Sequence, residues 1–360
     1  MSDLVTVTES GLYCAMGDFY IDPWRSVKLA LVTHGHSDHA RMGSQRYITH
    51  KDGQAILRYR LGEIDVTGVD YCQVLQLGGV KVSFHPAGHV LGSAQIRIET
   101  DKGEVWVVSG DYKAQYDPTC PGIEPVRCDT FITESTFGLP IYRFNEGDTV
   151  ACEIVDWWEK CKAKGQVAMV GAYSLGKAQR LLASLPDLAG PIYVHGSVAA
   201  INSIYQGAGV TLPPWTHLTS EHKADKLAKE GALLVAPPSS IEGPWARRFA
   251  KRQEAFASGW MLVRGRRRMR SIDRGFVLSD HADWPGLISV IAATGAERVL
   301  VTHGFSDPLV RYLSERGLNA ATLRTAYGDE EAPEAAPDAS PDASIEVASE
   351  SANLLSDGVS

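Results

Sequence analysis

Four potential metal ligands fall within six residues of this 360-residue chain, in the run His34-Gly35-His36-Ser37-Asp38-His39. Burying several imidazoles and a carboxylate together is costly unless a divalent cation compensates them. The spacing therefore points to metal binding rather than to core packing or a chance polar loop. Alternate residues His34 and His36 can converge on one ion at the end of a strand. Asp38 and His39, a turn further on, can face a second ion about 3.5–4 Å away. Three more candidates each lie just past a short apolar run, where α/β sheets place ligand-binding groups. They are His89 in Pro86-Ala87-Gly88-His89-Val90, Asp111 in Ser109-Gly110-Asp111-Tyr112, and His303 in Thr302-His303-Gly304. A lone histidine at a strand end is more often a hydrogen-bonded structural residue, but three such positions beside the cluster favour ligands.

The elements that must position these residues are short. Apolar runs of four to six residues, bounded by Gly, Asp or Pro, suit buried strands. They include Leu29–Thr33, Val80–Phe84, Ile96–Glu99, Val105–Ser109, Thr130–Thr133, Val167–Val170, Ile192–Val194, Leu233–Val235, Phe276–Leu278 and Val299–Thr302. Helical spacing is read over 147–164, 176–185, 220–230, 243–257 and 308–316. The early half is strand-rich and the later part alternates strand and helix. Layered sheets with outer helices fit this pattern better than one doubly wound sheet.

Charge is unevenly spread. The chain carries 35 Lys+Arg against 43 Asp+Glu, a formal −8, which taken whole argues against a nucleic-acid partner. Nine of the acidic residues lie at or beyond Asp329, where there is no Lys or Arg, so residues 1–328 hold 35 basic and 34 acidic side chains. The acidity belongs to a tail, 329–360, rich in Ala, Pro, Asp, Ser and Glu, and disorder is the expectation there. Ten cationic residues crowd into 247–274: Arg247, Arg248, Lys251, Arg252, Arg264, Arg266, Arg267, Arg268, Arg270 and Arg274. Only Glu254 and Asp273 oppose them. A solvated face is the ordinary meaning of a charge run; here a cationic track for phosphates is the better reading. Trp245, Phe249, Phe256 and Trp260 interleave with it, to stack on bases or to fill the core. No run of about 18 apolar residues suggests a membrane span. A signal-peptide pattern is not seen at Met1, and the six scattered cysteines fit a reduced cytoplasm.

The series His34-x-His36-x-Asp38-His39, His89 and Asp111, with Asp22 upstream in Tyr20-Ile21-Asp22-Pro23, resembles the motifs of the metallo-β-lactamase superfamily. Thr133-Glu134-Ser135-Thr136-Phe137-Gly138 is similar to motif A of its β-CASP nucleases, and Ser279-Asp280-His281-Ala282-Asp283 to motif B. Val301-Thr302-His303-Gly304 is similar to motif C, and the run from Gly171 to Gln179 to the start of the β-CASP insert. The resemblance covers nearly all of residues 10–328 and is nearest to the bacterial ligase-associated DNA exonucleases. It also extends to RNA 3′-end processing factors. It implies an α/β fold, an αββα sandwich with an inserted α/β β-CASP domain. The divisions expected are 1–138 and 271–328 for the sandwich, 139–270 for the insert and 329–360 for the tail.

The resemblance further implies two divalent ions, zinc or manganese. His34, His36, His89 and Asp111 would hold one; Asp38, His39, His303 and the shared Asp111 the other. Asp22 would orient ligands, with Asp18 as its competitor, and Glu134 would support His281 beside the scissile phosphate. Ser174, Lys177, Arg266, Arg267 and Arg268 are the candidate substrate contacts. For Ser174 and Lys177 the alternative is an ordinary helix start with an exposed lysine. His195-Gly196-Ser197 is placed as a surface turn in preference to a cleft wall. The expected activity is that of a cytoplasmic metal-dependent DNA exonuclease in repair. Its partners would be nucleic acid, DNA ahead of RNA, and DNA ligase and helicase repair proteins, with no membrane. The alternative is an RNA-processing nuclease, which His303 favours because His at motif C is more typical of RNA-acting members. A small-molecule hydrolase on the same fold has no need of the insert or of the arginine run.

Overall fold

The computed structural model describes residues 3–145, 147–263 and 274–325. The acidic tail and the arginines Arg264, Arg266, Arg267, Arg268 and Arg270 lie outside the described residues. The first sheet has six strands in chain order, β1 (Thr6–Val7), β2 (Leu12–Cys14), β3 (Phe19–Ile21), β4 (Leu29–Leu31), β5 (Arg46–His50) and β6 (Val66–Val69). Helix α1 (Gln54–Leu61) crosses between the last two. A second sheet follows with β7 (Leu75–Leu77), β8 (Val80–Pro86), β9 (Ala94–Thr100), β10 (Val105–Val108) and β11 (Thr130–Thr133).

The chain then builds a third, wholly parallel sheet. Its elements are α2 (Gly147–Ala163), β12 (Val167–Gly171), α3 (Lys177–Ser184), β13 (Ile192–Val194), α4 (Gly196–Gly207), β14 (Thr216–His217), α5 (Ala224–Glu230) and β15 (Leu233–Ala236). After α6 (Pro238–Glu242) and α7 (Pro244–Arg247) come β16 (Arg252–Ala257) and β17 (Arg274–Phe276). The strand order is β14-β13-β15-β12-β16-β17, so β17 falls past residue 270 and still pairs with this sheet. The chain returns to the second sheet through α8 (Trp284–Thr294), β18 (Arg298–Val301), α9 (Ser306–Ser314) and β19 (Asn319–Thr322). That sheet has the order β19-β18-β11-β10-β9-β8-β7.

Side-chain alternation at period two accounts for the layers. On β10, Trp106 and Val108 face the first sheet, while Val107 faces α8 and α9; Ile132 and Phe131 of β11 divide the same way. Leu31, Ile48 and Val69 of the first sheet meet Val82, Ile96 and Ile98 of the second in one core. Ala30, Val32 and Tyr47 pack outward on Leu57 of α1. The result is an αββα sandwich. The third sheet is covered on both faces, by α2, α3 and α4 on one side and by α5, α6 and α7 on the other. Burial on both faces explains why its strands read as continuous apolar runs without alternation.

One expected element is overturned. Residues 243–257 read as a helix, but they form α7 and then β16, which lies between β12 and β17 with Val167 opposite Arg252. Arg-Gln-Glu-Ala-Phe-Ala has helix-forming composition, and the central slot of the sheet overrides it. Phe249, Phe256 and Trp260 of this region fill the core, and Trp245 packs against it, so they are not a stacking platform.

Candidate metal centre

Strand direction brings the candidates to one edge. β8, β10, β11 and β18 all run the same way, since β8 and β10 are both antiparallel to β9. Their C-terminal ends therefore deliver His89, Asp111, Glu134 and His303 together. In the first sheet β3 and β4 are parallel and deliver Asp22 and the His34–His39 loop. An Ala94 N–H to Thr33 carbonyl hydrogen bond of 2.8 Å joins the two sheets there.

Three groups of side chains converge, with ligand atoms within 4.8 Å of one another in each: His34, His36, His89 and Asp111; Asp38, His39 and His303; Asp111, Glu134 and His281. Asp111 Oδ2 lies 3.4 Å from both His34 Nε2 and His39 Nε2, and 3.8 Å from His89 Nε2. One carboxylate thus faces three imidazoles from two sheets. His39 also lies 3.5 Å from Asp38 Oδ2 and stacks on His303 with ring centroids 5.3 Å apart.

Hydrogen bonds at the far ring atoms set which nitrogen points inward. Asp22 accepts from the Thr33 N–H at 2.8 Å and the Thr33 hydroxyl at 2.6 Å, and its Oδ2 accepts from His39 Nδ1–H at 2.7 Å. Thr33 Oγ1, its proton given to Asp22, accepts from His34 Nδ1–H at 3.1 Å. His36 Nε2–H donates to the Leu175 carbonyl at 3.2 Å, and His89 Nδ1–H to the Asp280 carbonyl at 2.9 Å. Those bonds leave the lone pairs of His36 Nδ1 and His89 Nε2 facing each other at 2.9 Å. Two acceptors at that distance repel unless a cation lies between them. His34 Nε2 is buried with no hydrogen-bond partner, aimed into the same space.

The electrostatics agree with this donor set at His34, His89 and Asp111. Burial, and then the neighbouring imidazoles, push His34 well below the usual histidine range; burial and then His281 push His89 down to about 3. Both rings are held neutral, the form that ligates metal. For Asp111 burial works against ionisation, but His39 and then His281 outweigh it and hold the carboxyl well below its ordinary value. Neutral His34 and His89 beside an ionised Asp111 fit a divalent cation, whereas His39, against burial, is raised well above the usual histidine range by Asp111, Asp38 and Asp22 and balances that carboxylate as a charged ring.

Glu134 and His281 form a separate couple. Glu134 is buried and accepts from the Tyr112 N–H at 2.8 Å and the Thr136 hydroxyl at 2.5 Å. Its two oxygens share His281 Nδ1–H at 2.9 and 3.0 Å. Burial disfavours the charged ring, yet the Glu134 carboxylate and then Asp111 raise His281 to about 9.

Asp22 and His303 adopt left-handed backbone, φ 43° and 57°, rare for side chains of their size. Such strain collects at functional sites. Asp18, also left-handed, is exposed and bonded to the Tyr13 hydroxyl, away from the cluster. Gly304 beside His303 has φ 64°, and a Cβ there would lie 2.4 Å from the Ser135 carbonyl oxygen. Gly304→Ala is therefore expected to cost at least about 1–2 kcal/mol, read as a lower Tm in thermal unfolding. An unchanged Tm would contradict this packing.

Among the candidate substrate contacts, Ser174 and Lys177 are buried. Ser174 Oγ lies 2.9 Å from Ser197 Oγ; Lys177 Nζ lies 3.6 Å from Asp280 Oδ2 and 4.6 Å from the Tyr173 ring centre. The exposed-lysine alternative does not describe Lys177. His195 is likewise buried, capping α4 through Ser197 rather than forming a surface turn. Arg266, Arg267 and Arg268 lie outside the described residues. Sequence reasoning missed Thr33, whose hydroxyl links Asp22 to His34, and the carbonyls of Leu175 and Asp280. Backbone carbonyls leave no residue-type signal.

No family model matches the chain. It is 30% identical over 312 residues to a probable DNA ligase of Opitutus terrae, an overlap covering 86% of this chain and 30% of that protein. It is 22% identical over 311 residues to the endoribonuclease YSH1 of Kluyveromyces lactis, across 71% of this chain and 40% of that one. The chain thus spans less than half the length of either relative. A crystal structure of a protein of unknown function from Enterococcus faecalis V583 matches with a TM-score of 0.53 at 14% identity. That match covers 76% of this chain and 74% of the other, and the likeness is one of fold.

Proposed function

Since the chain belongs to the β-CASP group of the metallo-β-lactamase superfamily, we propose that it hydrolyses nucleic-acid phosphodiesters with two divalent cations, zinc or manganese, and that its substrate is DNA, taken from an end. The observation that carries this reading is Asp111, which faces His34 and His89 of one ligand group and, at 3.4 Å, His39 of the other, and which also converges with Glu134 and His281. His34, His36, His89 and Asp111 would hold one cation; Asp38, His39, His303 and Asp111 the other. Bound there, the cations supply Lewis-acid neutralisation of phosphate charge and lower the pKa of water.

The chain's own residues do the rest. Asp22, directly and through Thr33, keeps His39 and His34 in the tautomers that face inward. His281, with Nδ1–H committed to Glu134, keeps Nε2 for the substrate. Charged, it hydrogen-bonds the scissile phosphate or hands its proton to the leaving oxygen. No Ser or Cys nucleophile is needed, so the reaction is a single displacement. Ser174 and Lys177 form the inner wall of the cleft in this reading. The division of the chain near 138 and 328, with the third sheet as an insert taking in β17, is part of the same proposal.

DNA is placed ahead of RNA because the similarity to a probable DNA ligase runs along 86% of the chain. A nuclease that trims ends beside a ligase, and with helicases of repair, fits that arrangement. The similarity to an endoribonuclease favours the RNA reading. Matched DNA and RNA strands, labelled at either end and incubated with Mn2+ or Zn2+, decide between them. Loss of DNA label from one end, stopped by chelator, is expected; cleavage of neither strand would sink the nuclease assignment. Among the described residues no helix is long and apolar enough to cross a membrane.

Arg266, Arg267 and Arg268 are proposed to hold phosphates in a cationic track. Replacing all three by Gln is expected to weaken binding and to flatten the plot of log affinity against log salt. The slope should fall by about 0.7–0.9 for each phosphate that is no longer neutralised. An unaltered slope would remove these residues from the interface.

A further inference from the structure

The turn before α3 and the helix itself lie against the metal-facing residues through a layer of buried charge. Lys113, Asp117, Lys177, Arg180 and Asp280 are all buried. Arg180 Nε is 3.6 Å from Asp117 Oδ2, and its Nη1–H donates to the Ser279 carbonyl. Lys113 Nζ is 3.7 Å from Asp117 Oδ2, and Lys177 Nζ is 3.6 Å from Asp280 Oδ2. Three cations and two carboxylates are therefore held away from water. Burial of that kind adds little stability, because well-packed apolar side chains often do as well or better. Its effect is geometric: each charge restricts where its partner can lie.

What is restricted is the peptide Ser279-Asp280-His281. The Asp280 carbonyl receives His89 Nδ1–H at 2.9 Å, and His281 N–H donates to Ser279 Oγ at 3.1 Å. Arg180 holds the preceding carbonyl, that of Ser279. The turn leading into α3 reaches the site directly, since the Leu175 carbonyl receives His36 Nε2–H. Its fit is close: Gly176 has φ 88°, and a Cβ there would lie 2.3 Å from Val90 Cγ1, next to His89.

We infer that Arg180 is a positioning residue for the metal centre, clamping the Ser279–His281 peptide so that the Asp280 carbonyl holds His89 with Nε2 inward. The inference rests on the two-cation reading above and adds to it a dependence of metal affinity on a helix that supplies no ligand. Rotating the Asp280 carbonyl away would free His89 Nδ1–H and let the ring turn its other nitrogen inward. The ligands would keep their identity but not their orientation.

Titration of the metal-free protein with Co2+, followed by visible absorption, tests this without reading activity. Arg180→Met is expected to weaken binding by about 10- to 100-fold and to alter the absorption bands, with the far-ultraviolet circular dichroism unchanged. Arg180→Lys, which can still donate to the Ser279 carbonyl, is expected to recover most of the affinity. Arg180→Leu, a second uncharged side chain, removes the clamp while Lys113 and Asp117 stay paired, and is expected to behave as Arg180→Met. Wild-type affinity and bands in R180M overturn the clamp alone. Loss of the fold in both Arg180→Met and Arg180→Leu makes the residue structural and overturns it too. A wild-type protein that binds no Co2+ overturns the two-cation reading, and the clamp with it.

Discussion

Asp111→Ala is expected to abolish cleavage and to reduce bound metal from two ions per chain to at most one. The carboxylate is buried at the meeting point of two ligand groups, with Oδ2 within 3.4–3.8 Å of His34, His39 and His89. In the two-cation reading, removing it would take a ligand from both groups, and with it the negative charge that would compensate the cations. Neutral imidazoles remain, and they bind a cation less tightly without the carboxylate. Metal content after dialysis, measured by elemental analysis beside the turnover of labelled DNA, checks both halves of the expectation. Two ions per chain in a purified, folded Asp111→Ala protein would show that Asp111 does not bridge. Asp38→Ala, which touches one group only, is expected to lose activity while keeping more of the metal.

His281→Ala is expected to lower kcat by about 10²–10⁴-fold, the range for losing a positioned acid, while metal content and fold are retained. His281 stands outside the two proposed ligand sets, in a third group with Asp111 and Glu134, and is held by Glu134 through Nδ1. Its loss should therefore appear in the chemical step and leave Co2+ spectra near those of the wild type. Glu134→Gln should act in the same direction with a smaller effect, because the amide oxygen can still accept from Nδ1–H without favouring the charged ring. Near wild-type turnover in purified His281→Ala would end the assignment of an acid role. Loss of metal in the same variant would instead move His281 into the ligand set.

Much of the centre was legible in residue types at strand ends. Imidazoles and carboxylates spaced as in His34–His39 have few uses besides metal, and short apolar runs before Asp111, Glu134 and His303 mark the ends of strands. Segment 243–257 reads as a helix for the opposite reason. Its local composition favours a helix, and only the open position between β12 and β17 makes residues 252–257 a strand. Lys177 was open between a phosphate-binding role and an exposed one, since no local pattern says that Asp280 would lie 3.6 Å from it.

By itself the sequence picked out the residues of the candidate centre, because potential ligands are recognisable by side-chain type and strand ends can be read locally. It also located the acidity in a tail and the cations in one segment. The tertiary structure decided which atoms face inward. His36 and His89 take their orientation from the carbonyls of Leu175 and Asp280, residues 139 and 191 positions away. Glu134 meets His281 across 147 positions in the same way. Hydrogen bonds to backbone carbonyls carry no residue signature. They exist only when separate layers close on one another, and that closing sets the tautomers on which the proposed metal binding would depend.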